Sequence, residues 1–114
     1  MLSTENIPSL PIRDYFVTTI TKSFTVKNQK GWHARPCALI ARTIVQHPDI
    51  TVTFSHPNQK TVASGSSVFE MMLLAVNCGD TIVVQLTGED LQELQDLLSI
   101  IEKIIDRPFL DEDF

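Results

Sequence analysis

Apolar and polar residues along the chain fall into alternating and helical stretches that follow one another in a legible order. Residues 21–27 place Phe24 and Val26 on one side and Ser23, Thr25 and Lys27 on the other, which predicts a half-buried strand. From 34 to 46 the period changes: Cys37, Ile40, Ala41 and Ile44 recur at spacings of three and four and predict an amphipathic helix, ended by His47-Pro48. Residues 50–54 alternate again, and 60–63 form a short strand across a turn at 55–59, so the two predict a hairpin. A serine-rich loop, 64–67, precedes a short apolar helix over 68–76, with Asn77-Cys78-Gly79-Asp80 stopping it. Residues 81–87 predict a strand with Ile82, Val84 and Leu86 inward. Asp90, with Glu93 three residues on, matches a capping box and opens the longest helix. Its stripe is Leu91, Leu94, Leu98, Ile101 and Ile105, widened by Leu97 and Ile104, and it ends at Arg107-Pro108.

Strand, helix, strand, strand, helix, strand, helix calls for two layers. Because each strand is apolar on one face only, the expected architecture is α+β: a mostly antiparallel sheet with the helices on one face and the other open to water. Residues 1–20 carry scattered prolines and no sustained period, and predict a loosely ordered extension with an apolar anchor at Tyr15, Phe16 and Val17. The tail beyond 107 is acidic at Asp111, Glu112 and Asp113 and is expected to be solvated.

Composition narrows the function classes. A chain of 114 residues holds one modest core. The formal charge of −5 argues against a nucleic-acid partner, and no apolar run reaches the length of a membrane span. Glu5, Pro8, Pro11, Arg13 and Asp14 break up any candidate leader, so a cytoplasmic protein is expected. Cys37 and Cys78 form no CxxC pair and are expected to be reduced thiols. Protein partners, or small anions met at a local basic spot, suit this balance better. The chain is expected to be a monomer.

That basic spot is Gly31-Trp32-His33-Ala34-Arg35-Pro36. Gly31 lets the backbone turn, and Pro36 is tolerated in a first helical turn, where its missing N–H would lack an intrahelical partner. His33 then stands at a helix start, where unpaired N–H groups and partial positive charge suit an anion. Arg35 adds a planar cation; a cation is unfavourable at a helix N-terminus unless an anion sometimes joins it. A neutral imidazole, with an ordinary pKa near 6.5, is nucleophilic around neutral pH. Reversible phosphorylation of His33 would need this set of groups and little more, because phosphoryl transfer asks chiefly for positioning and charge stabilisation. An ordinary exposed histidine at a helix start is the alternative that these residues leave open.

The hexapeptide, the element order and the serine-led short helix together resemble the HPr family, the histidine phosphocarriers of the bacterial phosphoenolpyruvate-dependent sugar phosphotransferase system, over residues 21–107. The resemblance implies the βαββαβα open-faced sandwich of that family, a four-stranded antiparallel sheet with three helices on one face. It implies that His33 accepts a phosphoryl group on Nδ1 from phosphorylated enzyme I and passes it to an enzyme II A domain, with Arg35 steadying the charge. It implies no enzyme activity of its own and no cofactor. Ser67 falls at the serine that an HPr kinase/phosphorylase modifies in many relatives, and Val68, Phe69 and Met72 fall at the docking surface. The chain departs from the pattern in four places. Trp32 stands for a leucine or isoleucine and is expected to alter the rim of the site. Cys37 stands for a common alanine. The loop before Ser67 is one residue longer, with Ser66 where a lysine is frequent, so Ser66 and Ser64 remain alternative targets. The extension and the acidic tail lie outside the family core. A regulatory binding module, switched through the serines and without sugar transport, is the competing function.

Metal and nucleotide chemistry are not expected. His33 and Cys37 have no second pair to complete a zinc site, and no glycine-rich phosphate loop is present.

Overall fold

The computed structural model describes residues 17–108, and the expected extension and acidic tail fall largely outside them, including Tyr15, Phe16 and residues 111–113. The elements are β1 (Thr18–Thr25), α1 (Ala34–Ile44), β2 (Thr51–Ser55), β3 (Val62–Ser64), α2 (Val68–Leu73), β4 (Thr81–Gly88) and α3 (Leu91–Asp106). The four strands form one sheet in the order β1-β4-β2-β3, and every neighbouring pair is antiparallel. This is the expected α+β sandwich, with the three helices covering one face. Phe24, Val52, Phe54, Ala63, Ile82, Val84 and Leu86 point under the helices, while Thr21, Ser23, Thr53 and Gln85 belong to the opposite face.

The core closes around residues whose periodicity announced them. From α1 come Cys37, Ile40, Ala41 and Ile44, and from α3 Leu94, Leu97, Ile101 and Ile105. Burial of such apolar area, about 25 cal/mol per Å², is what holds the two layers together.

Several boundaries differ from the pattern. β1 starts at Thr18 rather than 21, because Ile20 continues the inward phase of Phe24 opposite Leu86. The intervening Lys22, on the same phase, hides that continuity; its ammonium lies 5.2 Å from the Phe24 ring centroid and 3.3 Å from Glu102 of α3. α2 stops at Leu73 rather than running to 76. Ala75 takes a left-handed φ of 51°, which turns Val76 into the core and presents its carbonyl to the Trp32 N–H at 2.8 Å. In α3 the stripe is rotated: Leu97 is fully buried, whereas Leu91 is exposed. Only half of the capping box forms. Asp90 Oδ1 accepts from the N–H groups of Gln92 and Glu93, but the Glu93 carboxylate meets His47 Nδ1 at 3.4 Å instead of returning to the cap.

Candidate functional site

The turn between β1 and α1 is built by the residues that precede the histidine. Asn28 accepts the Gly31 N–H through its carbonyl at 2.8 Å and the Lys30 N–H through Oδ1 at 3.1 Å. Gly31 takes φ +66°, and a Cβ there would lie 2.5 Å from the carbonyl oxygen of Val76. Only glycine fits so close to another backbone in this conformation.

His33 is the N-cap of α1, with an extended backbone and a ring that is partly exposed. Its Nδ1 faces the backbone N–H of Arg35 at 3.4 Å, and its Nε2 faces the side-chain amide of Asn28 at 3.2 Å. Partial burial, and then the positive charge of Lys30, hold the ring below its ordinary pKa. Both influences favour the neutral, nucleophilic imidazole. The ring faces the helix-start N–H of Arg35, and Pro36 contributes none. Arg35 itself is exposed in the first turn, which holds no acidic residue. The nitrogen nearest the helix N–H is therefore Nδ1, and an anion bound to it would lie at the positive end of α1.

Trp32 departs from expectation. It does not rim the site; it is buried in the core, edge-on to Phe54 at 5.0 Å between ring centroids. The reason is its backbone: the Trp32 N–H is tied to Val76 O, which aims the side chain inward. Its indole Nε1 is buried without a hydrogen-bond partner among the described residues. The neighbouring Cys37 is fully buried, and burial pushes its thiol up to about 12. Cys37 is thus a small core residue, whereas Cys78 is exposed.

Ser67 is the N-cap of α2: its Oγ accepts the Glu70 N–H at 3.1 Å, while a Glu70 carboxylate oxygen reaches back to the Ser64 N–H at 3.2 Å. Ser64 and Ser66 join their hydroxyls at 2.9 Å, and Ser66 is the exposed member of the three. The α2 residues divide by face. Met71 is fully buried and Val68 is partly buried, whereas Phe69 and Met72 are exposed, at 72% and 43%. Leu73, at 59% exposed, joins the apolar patch and escaped the sequence pattern, because a helix of so few residues has no resolvable period.

His56 was also missed as a structural residue. It is buried, its Nδ1 accepts the Asn58 N–H at 3.2 Å, and its Nε2 meets Asp80 Oδ2 at 3.3 Å. The same carboxylate oxygen accepts the Asn77 N–H at 2.8 Å. That bond first, and the imidazole second, lower the Asp80 pKa. The 77–80 turn is held just beyond the end of β1 as well, through Val26 N to Asp80 O and Gly79 N to Val26 O. The segment that backs Gly31 and Trp32 is thereby fixed from two sides. Among the described residues no cluster of three or more His, Cys, Asp or Glu could hold a metal, and no helix is long and apolar enough to cross a membrane.

The sequence model described as the PTS HPr component phosphorylation site matches residues 20–103. A comparison with curated protein sequences gave no match. Among solved structures, the chain is similar to a phosphocarrier protein HPr from Bacillus anthracis str. Ames, with a TM-score of 0.63 at 20% identity, over 77% of this chain and 98% of that one. It is similar to an HPr from Thermoanaerobacter tengcongensis at 24% identity, with a TM-score of 0.63, over 79% of this chain and 99% of the other. A histidine-containing phosphocarrier protein of Mycoplasma aligns with a TM-score of 0.66 at 19% identity, over 77% of this chain and all of its own.

Proposed function

The chain belongs to the HPr family of phosphocarriers, and from that membership we propose that His33 takes a phosphoryl group from phosphorylated enzyme I and hands it to an enzyme II A domain in sugar uptake. The observation that carries this reading is the placement of Nδ1: on a partly exposed imidazole whose pKa is lowered by burial and then by Lys30, 3.4 Å from a helix-start N–H. In the transfer the Nδ1 lone pair forms the new P–N bond as the bond from phosphorus to the donor nitrogen breaks, its electron pair staying with the donor. The helix-start amide of Arg35 would favour the phosphoryl charge, and its guanidinium, exposed in the same turn, would add a cation. No activation of an alcohol or water is called for, so the protein acts as a stoichiometric carrier rather than an enzyme. The exposed apolar patch of Phe69, Met72 and Leu73, with the partly buried Val68 at its edge, is the surface on which donor and acceptor would dock in turn.

The experiment is incubation with phosphoenolpyruvate and enzyme I. Acid-labile phosphate should appear on the protein, and His33→Ala should abolish it. Label that survives His33→Ala overturns the assignment.

A regulatory role through the serines has one observation in its favour: Ser67 opens α2 beside the apolar patch, so a phosphate there would add charge where partners dock. Its local cost is set by Glu70, whose carboxylate folds back over the same turn. Acid-stable, ATP-dependent phosphate formed by an HPr kinase/phosphorylase, and lost in Ser67→Ala but not in Ser66→Ala or Ser64→Ala, would establish it. Such label with none on His33 would make regulation without sugar transport the better description.

A further inference from the structure

We propose that residues 7–12 of this chain, in the extension before β1, dock into the apolar groove between the end of α1 and the β2–β3 edge of the sheet. The inference is independent of what His33 does.

The groove measures about 520 Å³, room for several side chains. Ile44, Val45, Pro48, Ile50, Val52 and Val62 line it, together with Ser64 and Ser66. Val45 and Val62 are 61% and 56% exposed, so the described elements leave its walls uncovered. It exists because β3 is short. β3 pairs with Thr53–Ser55, and the chain then turns in at Gly65, whose N–H reaches Val52 O at 2.8 Å. Among the described residues of the lining, His47 is the one titratable side chain, and its Nδ1 is turned to Glu93 at 3.4 Å. A groove of this kind suits an uncharged apolar segment and penalises a charged one.

Two stretches, 1–16 and 109–114, lie outside the described residues, and position and charge choose between them. The later one leaves α3 beside the start of α1, where Ile105 shares a recess with Gly31, Trp32 and Pro36, and it carries Asp111, Glu112 and Asp113. The groove is at the other end of α1. The chain before Val17 leaves the sheet at the groove's own end: Thr19 pairs with Thr87, and Thr87 with Thr51 at the start of β2. With neighbouring strands about 4.8 Å apart, the crossing from β1 to β2 is about 10 Å. Residues 13–16 span about 13 Å when extended, at roughly 3.3 Å each. Ile12 and the residues before it can therefore lie over the groove. The crossing passes Thr19, Thr87 and Thr51, a row without charge whose first two hydroxyls are joined at 2.9 Å.

The stretch Ile7-Pro8-Ser9-Leu10-Pro11-Ile12 is itself uncharged. Its prolines favour an extended left-handed chain of three residues per turn, which would put Ile7 and Leu10 on one side. They also narrow the conformations lost on docking, and they remove two N–H groups that an apolar groove would leave without acceptors. Seated there, the segment lies against Ser66, the exposed hydroxyl of the serine loop, and competes with any enzyme that would modify it.

The test is a nitroxide attached at Ser9→Cys in the full chain carrying Cys78→Ser, with Cys37 kept because its buried thiol is out of the label's reach. The NMR methyl signals of Val45, Ile50 and Val62 should be several-fold weaker than after reduction of the nitroxide, at every protein concentration. Those of Val26 and Ile105 should be unchanged. Leu10→Asp and Val45→Asp should each restore the lost intensity, and the Ser66 amide should exchange with solvent several-fold faster in Leu10→Asp than in its parent. No broadening, broadening that survives either substitution, or equal exchange overturns the inference. Broadening seen in nitroxide-free, isotope-labelled copies mixed with nitroxide-bearing chains assigns the groove to a second copy and overturns it as well.

Discussion

His33 is held below its ordinary pKa by partial burial first and by Lys30 second, and the sign of that shift gives a pH prediction. Protonation removes the nucleophilic lone pair, so a ring with a lowered pKa stays reactive as the pH falls through about 6.5, where a free imidazole is half protonated. The NMR titration midpoint of His33 should lie below that value, and Lys30→Gln should bring it part of the way back. The same shift means that the unfolded chain binds more protons than the folded one between the two pKa values. Stability should therefore decline as the pH falls across that interval, and only slightly, because the ring is partly in water. Trp32 offers a contrasting residue-scale test. Truncation to Ala should cost roughly 3–5 kcal/mol in denaturant unfolding, as for other large aromatic core side chains. Trp32→Phe should cost far less, since along with the lost ring area it removes a buried indole N–H that has no partner among the described residues. Retention of full stability in Trp32→Ala would contradict the burial seen here.

At the scale of elements, the segment behind the site matters as much as the helix that carries it. The left-handed Ala75, the Val76 carbonyl and Gly31 form one close contact between two backbones. Gly31→Ala should cost at least about 1–3 kcal/mol from the positive φ alone. It should also push Val76 away and lower the rate of phosphoryl acceptance, as measured by label incorporation. A variant that keeps wild-type stability and rate would argue against the contact. None of this was legible in the chain: a glycine before a histidine announces a turn, but not that residue 76 sits against it. The helix α1 was legible to its last buried position, because Cys37, Ile40, Ala41 and Ile44 repeat without interruption. The start of β1 was not, because Lys22 lies on the inward phase yet finds Glu102 and the Phe24 ring there. The histidine and its arginine stood out locally; Asn28 and His56 did not, because the one is paired only once its own turn has closed and the other meets a carboxylate 24 residues on. A polar residue before a turn has the same sequence signature whether its amide meets solvent or a ring five residues on.

For the molecule as a whole, α2 separates two roles that single substitutions can tell apart. Met71 is fully buried and belongs to the core that joins α2 to the sheet, while Phe69 is 72% exposed on the outer side of the same short helix. Met71→Ala should cost roughly 2–5 kcal/mol, the usual range for a core truncation. Phe69→Ala lies away from any such feature and should shift stability by no more than about 0.5 kcal/mol. Kinetics should reverse that order. If Phe69 helps to seat the phosphoryl donor, its loss weakens association without touching the ring nitrogen that reacts. The KM for this protein as a substrate of enzyme I should then rise several-fold while kcat stays near the wild-type value. Met71→Ala, assayed at a temperature where it is folded, should leave both close to wild type, since its side chain does not reach the surface. A fall in kcat for Phe69→Ala with KM unchanged would place Phe69 in the chemistry rather than in docking. No change in either constant would remove α2 from the donor interface and move the search for that surface to the exposed first turn of α1.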